Sequence, residues 1–279
     1  MSTVSGNVSG NASGSVSLTV AHAFADSATM LRRQLRHMLR YPTLILTAAG
    51  VPVVFLLLFV YVLGGILGTG LGGPSGGRDA YTNYVVPGVI LMTVATAAQG
   101  TAISVSIDMT EGIVARFRTM AIARVSVLTG HVLGSLIQTL LSITAVIGVA
   151  LLVGFEPTAD FGEWLGAIGV LVMIILALTW LSVALAMVAK SVATASNMLT
   201  PLMILPMMGS GFVPTDSMPG GLKWFADYQP FTPFIETLRG LLMGTPIDNS
   251  AILTAGWCAL IALGGYLWAK KLYNREPTK

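Results

Sequence analysis

Charge is what this chain has least of. Asp, Glu, Lys and Arg make up 10% of its 279 residues against 54% hydrophobic residues, and the mean hydropathy is +0.79. A soluble domain carries about 25% charged and about 45–50% apolar residues, so a water-soluble globular fold is excluded. Cysteine is nearly absent: Cys258 stands alone, which rules out an intrachain disulfide or a cysteine zinc cluster. Histidine numbers three, with no His-Glu-x-x-His pattern, so metal-assisted hydrolysis has no support. No Gly-Lys-Ser or Gly-Lys-Thr occurs, so the chain cannot build the phosphate-cradling loop of a nucleotide hydrolase. It is not expected to be an enzyme.

What is present is a series of long apolar runs. Crossing the hydrocarbon takes ~20 mostly apolar residues in a helix, because each residue rises ~1.5 Å and every backbone group must be satisfied internally. Six segments qualify: 42–67, 84–107, 127–155, 164–189, 195–213 and 250–269. The expected fold is therefore an all-α polytopic membrane protein with six transmembrane helices. The second run carries Thr93, Thr96, Gln99, Thr101, Ser104 and Ser106, and the fifth carries Asn197, Pro201 and Pro206. Both are expected to be enclosed by protein rather than lipid. No run has an Asp, Glu, Lys or Arg near its centre, which disfavours an ion-coupled transporter. A sodium site built from backbone oxygens would escape that test, so an autonomous transporter or channel stands as the rival of a different class.

Lys and Arg accumulate in cytoplasmic loops. With both termini inside, Arg32, Arg33, Arg36, Arg40, Arg116, Arg118, Arg124, Lys190, Lys270, Lys271, Arg275 and Lys279 are cytoplasmic, and only Arg78, Lys223 and Arg239 lie outside. The net charge of +3 then reflects topology, not nucleic-acid binding.

Residues 1–25, rich in Ser, Gly and Asn, read as a disordered tail rather than a signal peptide, 26–275 as the membrane domain, and 276–279 as a cytoplasmic tail. From Asp26 to Tyr41, Leu31, Leu35, Met38 and Leu39 face one way and the four arginines the other, the pattern of an amphipathic interfacial helix on membrane lipid. The outer loop 68–83 is Gly-rich and reads as flexible. Between the fifth and sixth runs, Phe231, Phe234, Ile235, Leu238 and Leu242 recur at helical spacing while Pro219, Gly220, Gly221, Pro230 and Pro233 interrupt, which predicts a re-entrant or interfacial helical hairpin.

Two polar stripes invite chemistry. His131, Ser135, Gln138 and Ser142 share a face of the third run, where hydrogen bonding between helices outweighs an intramembrane hydrolase. Thr93, Thr96, Ala97, Gly100 and Ser104 share a face of the second, suited to close helix packing or to lining a pathway. The remaining oddity is a charged island from Asp108 to Arg124 in the first cytoplasmic loop, holding Glu111, Arg116, Arg118 and Arg124 in an otherwise apolar chain. It asks for a soluble partner.

Asp108, Glu111-Gly112-Ile113, Arg116-Phe117-Arg118, Ala123-Arg124 and Gly130, together with Gly211-Phe-Val-Pro-Thr-Asp-Ser-Met-Pro219, Trp224, Gln229-Pro230 and Leu238-Arg239-Gly240, resemble the membrane subunits of bacterial type 2 ABC exporters, particularly the daunorubicin-resistance permease group. The similarity covers roughly Arg32 to Arg275. One departure is Ala121, where family members often have Pro before the final Arg of the first motif.

The resemblance implies a permease of the bacterial cell membrane, pairing with a second permease subunit and two cytoplasmic ABC ATPase subunits. ATP and Mg are used by that ATPase, and this chain binds no cofactor. Export of a hydrophobic or amphipathic drug, antibiotic or lipid follows, with lipid-linked glycan export as the alternative. The resemblance also makes Glu111, Gly112, Ile113, Arg116, Phe117, Arg118 and Arg124 a cytoplasmic coupling helix between the second and third spans. Arg116 and Arg118 are its expected carboxylate-binding contacts. Thr93, Thr96, Gly100, Asn197 and Met203 are expected to line the substrate pathway between two copies.

Overall fold

The computed structural model describes residues 43–72, 77–110 and 124–274. Helix α1 (Thr43–Leu58) passes through a π turn (Phe59–Leu63) into α2 (Gly64–Gly72). Then come α3 (Arg78–Thr110), α4 (Arg124–Leu152), α5 (Phe161–Val188), α6 (Val192–Met208), α7 (Gly220–Tyr228), α8 (Phe231–Met243) and α9 (Ser250–Asn274). Among the described residues there is no strand, so the molecule is all-α.

Among the described residues, five stretches are long and apolar enough to cross a membrane: Ala49–Gly68, Arg78–Thr110, Val132–Leu152, Phe161–Val188 and Ser250–Leu272. Their positions agree with five of the predicted runs. The sixth, α6, has 17 residues, which at ~1.5 Å each gives about 25 Å of helix against a hydrocarbon core of ~30 Å. Its predicted end at residue 213 is five residues too far. Helix stops at Met208 because Gly209-Ser-Gly211 follows, and 209–213 is irregular. The Gly-rich outer loop is shorter than expected, since helix runs to Gly72 and resumes at Arg78.

Helix α3 is the hub. It packs on α1, α2, α4, α5, α6 and α8, and residues 85–95 are buried without interruption. That is the outcome expected of a polar-spotted span enclosed by protein. The hydroxyls of Thr93, Thr96 and Thr101 turn back to the carbonyls of Val89, Met92 and Ala97 at 2.9–3.0 Å, which lets them sit in an apolar interior without unpaired groups. Helix α6 departs from expectation: Ala195, Leu199 and Pro206 are its buried residues, and a long face of it is uncovered in the single chain. Hydropathy cannot tell a face covered by its own chain from one covered by another.

The remaining elements are fixed by local rules. Asp160 and Glu163 form a reciprocal capping box at the start of α5, with bonds of 2.7 and 2.9 Å. Ser191 caps α6 after a link of three residues from α5. Helix α8 ends on Gly244 with φ +65°, a left-handed cap that favours glycine. Helices α5 and α9 form the most extended pair, permitted by Gly265, whose missing Cβ would lie 2.8 Å from the backbone of Trp180 and Leu181. Next to it, Trp180 and Tyr266 meet edge to face at 5.1 Å.

The helical pieces predicted between the fifth and sixth runs are present as α7 and α8. Pro219 and Pro230 are the residues immediately before the two helices, and Phe231, Phe234, Ile235, Leu238 and Leu242 are all buried. Charged-face residues Glu236 and Arg239 are partly exposed, as the spacing required.

Candidate functional site

The two helices that carry the sequence-predicted pathway, α3 and α6, lie side by side and are clamped by Gln99. Its amide donates to the Ser196 carbonyl at 3.0 Å and the Ser196 hydroxyl at 3.2 Å. Beside that clamp the two helices leave a joint surface uncovered: Gly100, Ser104 and Ile107 from α3, and Asn197, Thr200, Pro201, Ile204 and Met208 from α6. Residues 197, 201, 204 and 208 follow helical spacing, so they form one continuous face. A Cβ added at Gly100 would meet nothing within 4 Å.

The five predicted pathway residues therefore separate. Gly100 and Asn197 are exposed, Thr96 and Met203 are half-buried at the edge of the same surface, and Thr93 is fully buried behind it. An exposed amide, small residues and a proline on neighbouring faces of two apolar helices are not what lipid selects. Small residues let helices approach, and a polar side chain against hydrocarbon is costly. This surface is built to face protein or a polar pathway.

The polar stripe of α4 resolves into packing. Ser135 shares a 2.6 Å hydrogen bond with Thr101 of α3, and Thr139 turns back to the Ser135 carbonyl at 2.7 Å. Ser142 is buried, Gln138 is half-buried, and the side chain of His131 lies outside the described residues. The coupling residues Glu111, Gly112, Ile113, Arg116, Phe117 and Arg118 lie outside them too, as does the side chain of Arg124 at the start of α4. The amphipathic segment 26–41 and both tails share that position.

At the hairpin end the structure makes an arrangement that sequence reasoning left scattered. The last turn of α6 and the irregular segment after it have carbonyls that side chains from α3, from the α7–α8 link and from α8 take. Tyr84 donates to the Ser210 carbonyl at 2.8 Å, Tyr81 to that of Phe212 at 3.2 Å, and Gln229 to that of Leu205 at 3.1 Å. Arg239 donates through one nitrogen to the carbonyls of Ser210 (2.6 Å) and Tyr84 (3.2 Å), with its guanidinium 3.9 Å from the centre of the Tyr84 ring.

Two glycines make the approach possible. A Cβ on Gly88 would sit 2.6 Å from the Gly211 carbonyl oxygen, and one on Gly211 would sit 2.7 Å from that of Pro206. From the other side the π turn brings Phe59 against Phe212, ring centres 4.7 Å apart. Gly211, Gln229 and Arg239 were singled out in the sequence as parts of a motif. Tyr81 and Tyr84 were missed, although two aromatics at the head of a span, one turn apart, were the available signal.

Among the described residues no group of His, Cys, Asp and Glu is placed to hold a metal ion.

The comparisons with known proteins agree with this architecture. The profile described as "ABC-2 type transporter" matches residues 27–243. A protein of Streptomyces coeruleorubidus named as a daunorubicin resistance ABC transporter permease is 27% identical over 209 residues, covering 74% of this chain and 70% of its own length. A protein of Mycobacterium tuberculosis, found in two strains and named "Probable doxorubicin resistance ABC transporter permease", is 24% identical over 223 residues, covering 78% of this chain and 79% of its own. With a hub helix, an uncovered α3–α6 surface and a family profile spanning most of its length, the chain belongs to the ABC-2 type transporter family and is a multi-pass membrane permease subunit.

Proposed function

We propose that this chain is the membrane subunit of an exporter that moves a hydrophobic or amphipathic compound, of the antibiotic or lipid class, using ATP hydrolysed by a separate cytoplasmic ATPase present in two copies. The observation that carries the reading is the uncovered α3–α6 surface in a chain of this family. It pairs with a second permease subunit, and the pathway runs between the two. Thr96, Gly100, Asn197 and Met203 line it, with Thr93 supporting from behind. The relatives named for daunorubicin and doxorubicin resistance favour a planar amphipathic substrate.

The polypeptide crosses the bacterial cell membrane six times with both termini in the cytoplasm, the fifth crossing being α6 with its irregular extension to Val213. Reporters active only outside the cytoplasm work when fused at Pro74 or Pro214 and fail at Arg118. Residues Glu111 to Arg124 form the coupling segment that docks in a cleft of the ATPase. Arg116 and Arg118 meet its carboxylates, because guanidinium groups make bidentate charge-assisted pairs. Ile113 and Phe117, one turn apart, give the segment an apolar face.

The test is charge reversal of Arg116 and Arg118 to Glu, read by co-purification of the ATPase and by transport. Loss of both with the membrane protein still folded supports the assignment; an unchanged complex and unchanged export overturn it.

A further inference from the structure

On the flank away from α6, helices α3, α4, α5 and α8 enclose an apolar cavity of about 370 Å³. Its walls are Ile143 and Ile147 of α4, Ala167 and Leu171 of α5, Ile90 of α3 and Leu238 of α8. Thr144 is its single hydroxyl, and it already donates to the Leu140 carbonyl at 2.8 Å. Apart from Trp164 at one end, nothing in the wall is free to hold a polar guest.

Three observations identify the guest. Thr144 and Ile168 at the rim are exposed, and so are the neighbouring Leu141 and Leu165 on the same two spans. The cavity thus opens onto a surface that α4 and α5 present to hydrocarbon, continuous with the lipid-facing exterior. Its wall on α5 begins at Trp164, four residues after the Asp160 cap, and descends one face through Ala167, Ile168 and Leu171, a drop of about 10 Å at ~1.5 Å per residue. That wall therefore runs along the axis of the α5 span, starting near its first turn. Finally, Trp164 is half-buried; its backbone N–H donates to the Asp160 carbonyl at 3.0 Å, while its indole N–H has no hydrogen-bond partner among the described residues. Indole at the membrane boundary places its N–H near headgroup oxygens while its ring stays in the apolar layer.

We infer that this cavity holds one acyl chain of a membrane phospholipid from the leaflet on the hairpin side, with Trp164 at the ester end. The bound chain packs against Leu238 and so against the helix that carries Arg239, making it a structural lipid of the hairpin. The inference does not depend on which compound is exported.

The experiment uses the full chain, purified in detergent and placed in bilayers of phosphatidylglycerol and phosphatidylethanolamine whose acyl chains carry bromine near the ester end. Native mass spectrometry counts retained phospholipid, and quenching of Trp164 is read after Trp180, Trp224, Trp257 and Trp268 are replaced by Phe. Ala167→Phe fills the cavity from within. Thr144→Phe plugs it from the exposed rim, where a larger side chain is tolerated if Ala167→Phe fails to fold. Leu165→Phe, beside the rim but facing outward, is the control.

One phospholipid retained through detergent exchange, at least tenfold depleted in a plugged variant but not in Leu165→Phe, with weaker Trp164 quenching in parallel, is the expected result. No retained phospholipid in the unmodified chain, or equal retention in every variant, overturns the inference. So does displacement of the lipid count by a second copy of the chain or by an added anthracycline, since either would make that molecule the occupant.

Discussion

The two ends of the molecule are built by opposite rules. At the hairpin end, bonds between residues distant in sequence tie the elements together: Tyr81, Tyr84 and Arg239 on the irregular segment, Gln229 on the last turn of α6, Asn83 on Glu156, Thr158 on Leu242, and Glu236 with Ser250. At the opposite end, Gln99 makes the side-chain hydrogen bonds between α3 and α6 among the described residues, and their shared surface is open. The closed end directs four donors onto the backbone from Leu205 to Phe212, whereas the open end presents the Asn197 amide on an uncovered surface. Changes at the first should act on stability and changes at the second on transport.

The sharpest way to break that contrast is Gly88→Ala. The added methyl meets the Gly211 backbone at 2.6–2.9 Å, and neither helix nor irregular segment can yield cheaply, so about 3 kcal/mol of stability is lost. Thermal unfolding in detergent reads it. Next comes Arg239→Leu, which strips two carbonyls of a charged donor and removes the stack on Tyr84; the cost is about 2–3 kcal/mol. Arg239→Lys does not restore it, because an ammonium lacks the planar fork and the stacking face.

Gly100→Leu sharpens the other side of the comparison. With no neighbour within 4 Å, it leaves the unfolding temperature within experimental error but lowers transport several-fold when combined with bulky replacements at Asn197 and Met203. Equal stability loss at Gly100 and Gly88 would erase the distinction. A smaller effect is expected from Thr101→Val, which deletes the bond to Ser135 for about 0.6 kcal/mol, the typical worth of such a bond within a membrane bundle.

Smallest of all is Asp216→Asn. The ion pair with Lys223 is 2.6 Å long but exposed, and solvent screening leaves it no measurable share of stability. Lys223 holds the Asp216 carboxyl below its ordinary value, so whatever the pair adds is complete at neutral pH and fades only as pH falls through that depressed value. An acid titration of the unfolding temperature should therefore be superimposable for the two proteins above that range.

Length and hydropathy made the five long spans legible, because a run of twenty apolar residues admits few other fates. The hairpin stripe from Phe231 to Leu242 was legible for the same kind of reason, as a helical period. Two things were not. Asn197, Pro201 and Pro206 marked α6 as a segment enclosed by protein, but its uncovered face in the single chain was not legible, since periodicity does not say which molecule covers a side chain. The closed end was invisible because it joins Tyr84 to Ser210 and Arg239, residues 126 and 155 positions away, and because what is recognised there is a backbone carbonyl, which every residue possesses.

The carbonyls captured after α6 have a consequence for how this helix can vary. Four donors grip the stretch from Leu205 to Phe212 at fixed heights, and Ser191 pins the other end. Removing or adding one residue between these anchors would turn the intervening helix by about 100° and swing Asn197 and Ile204 off the open surface. Side chains on that surface are free to change with the cargo. The number of residues beneath them is not, and insertions and deletions should be tolerated in the tails long before a single one is accepted here.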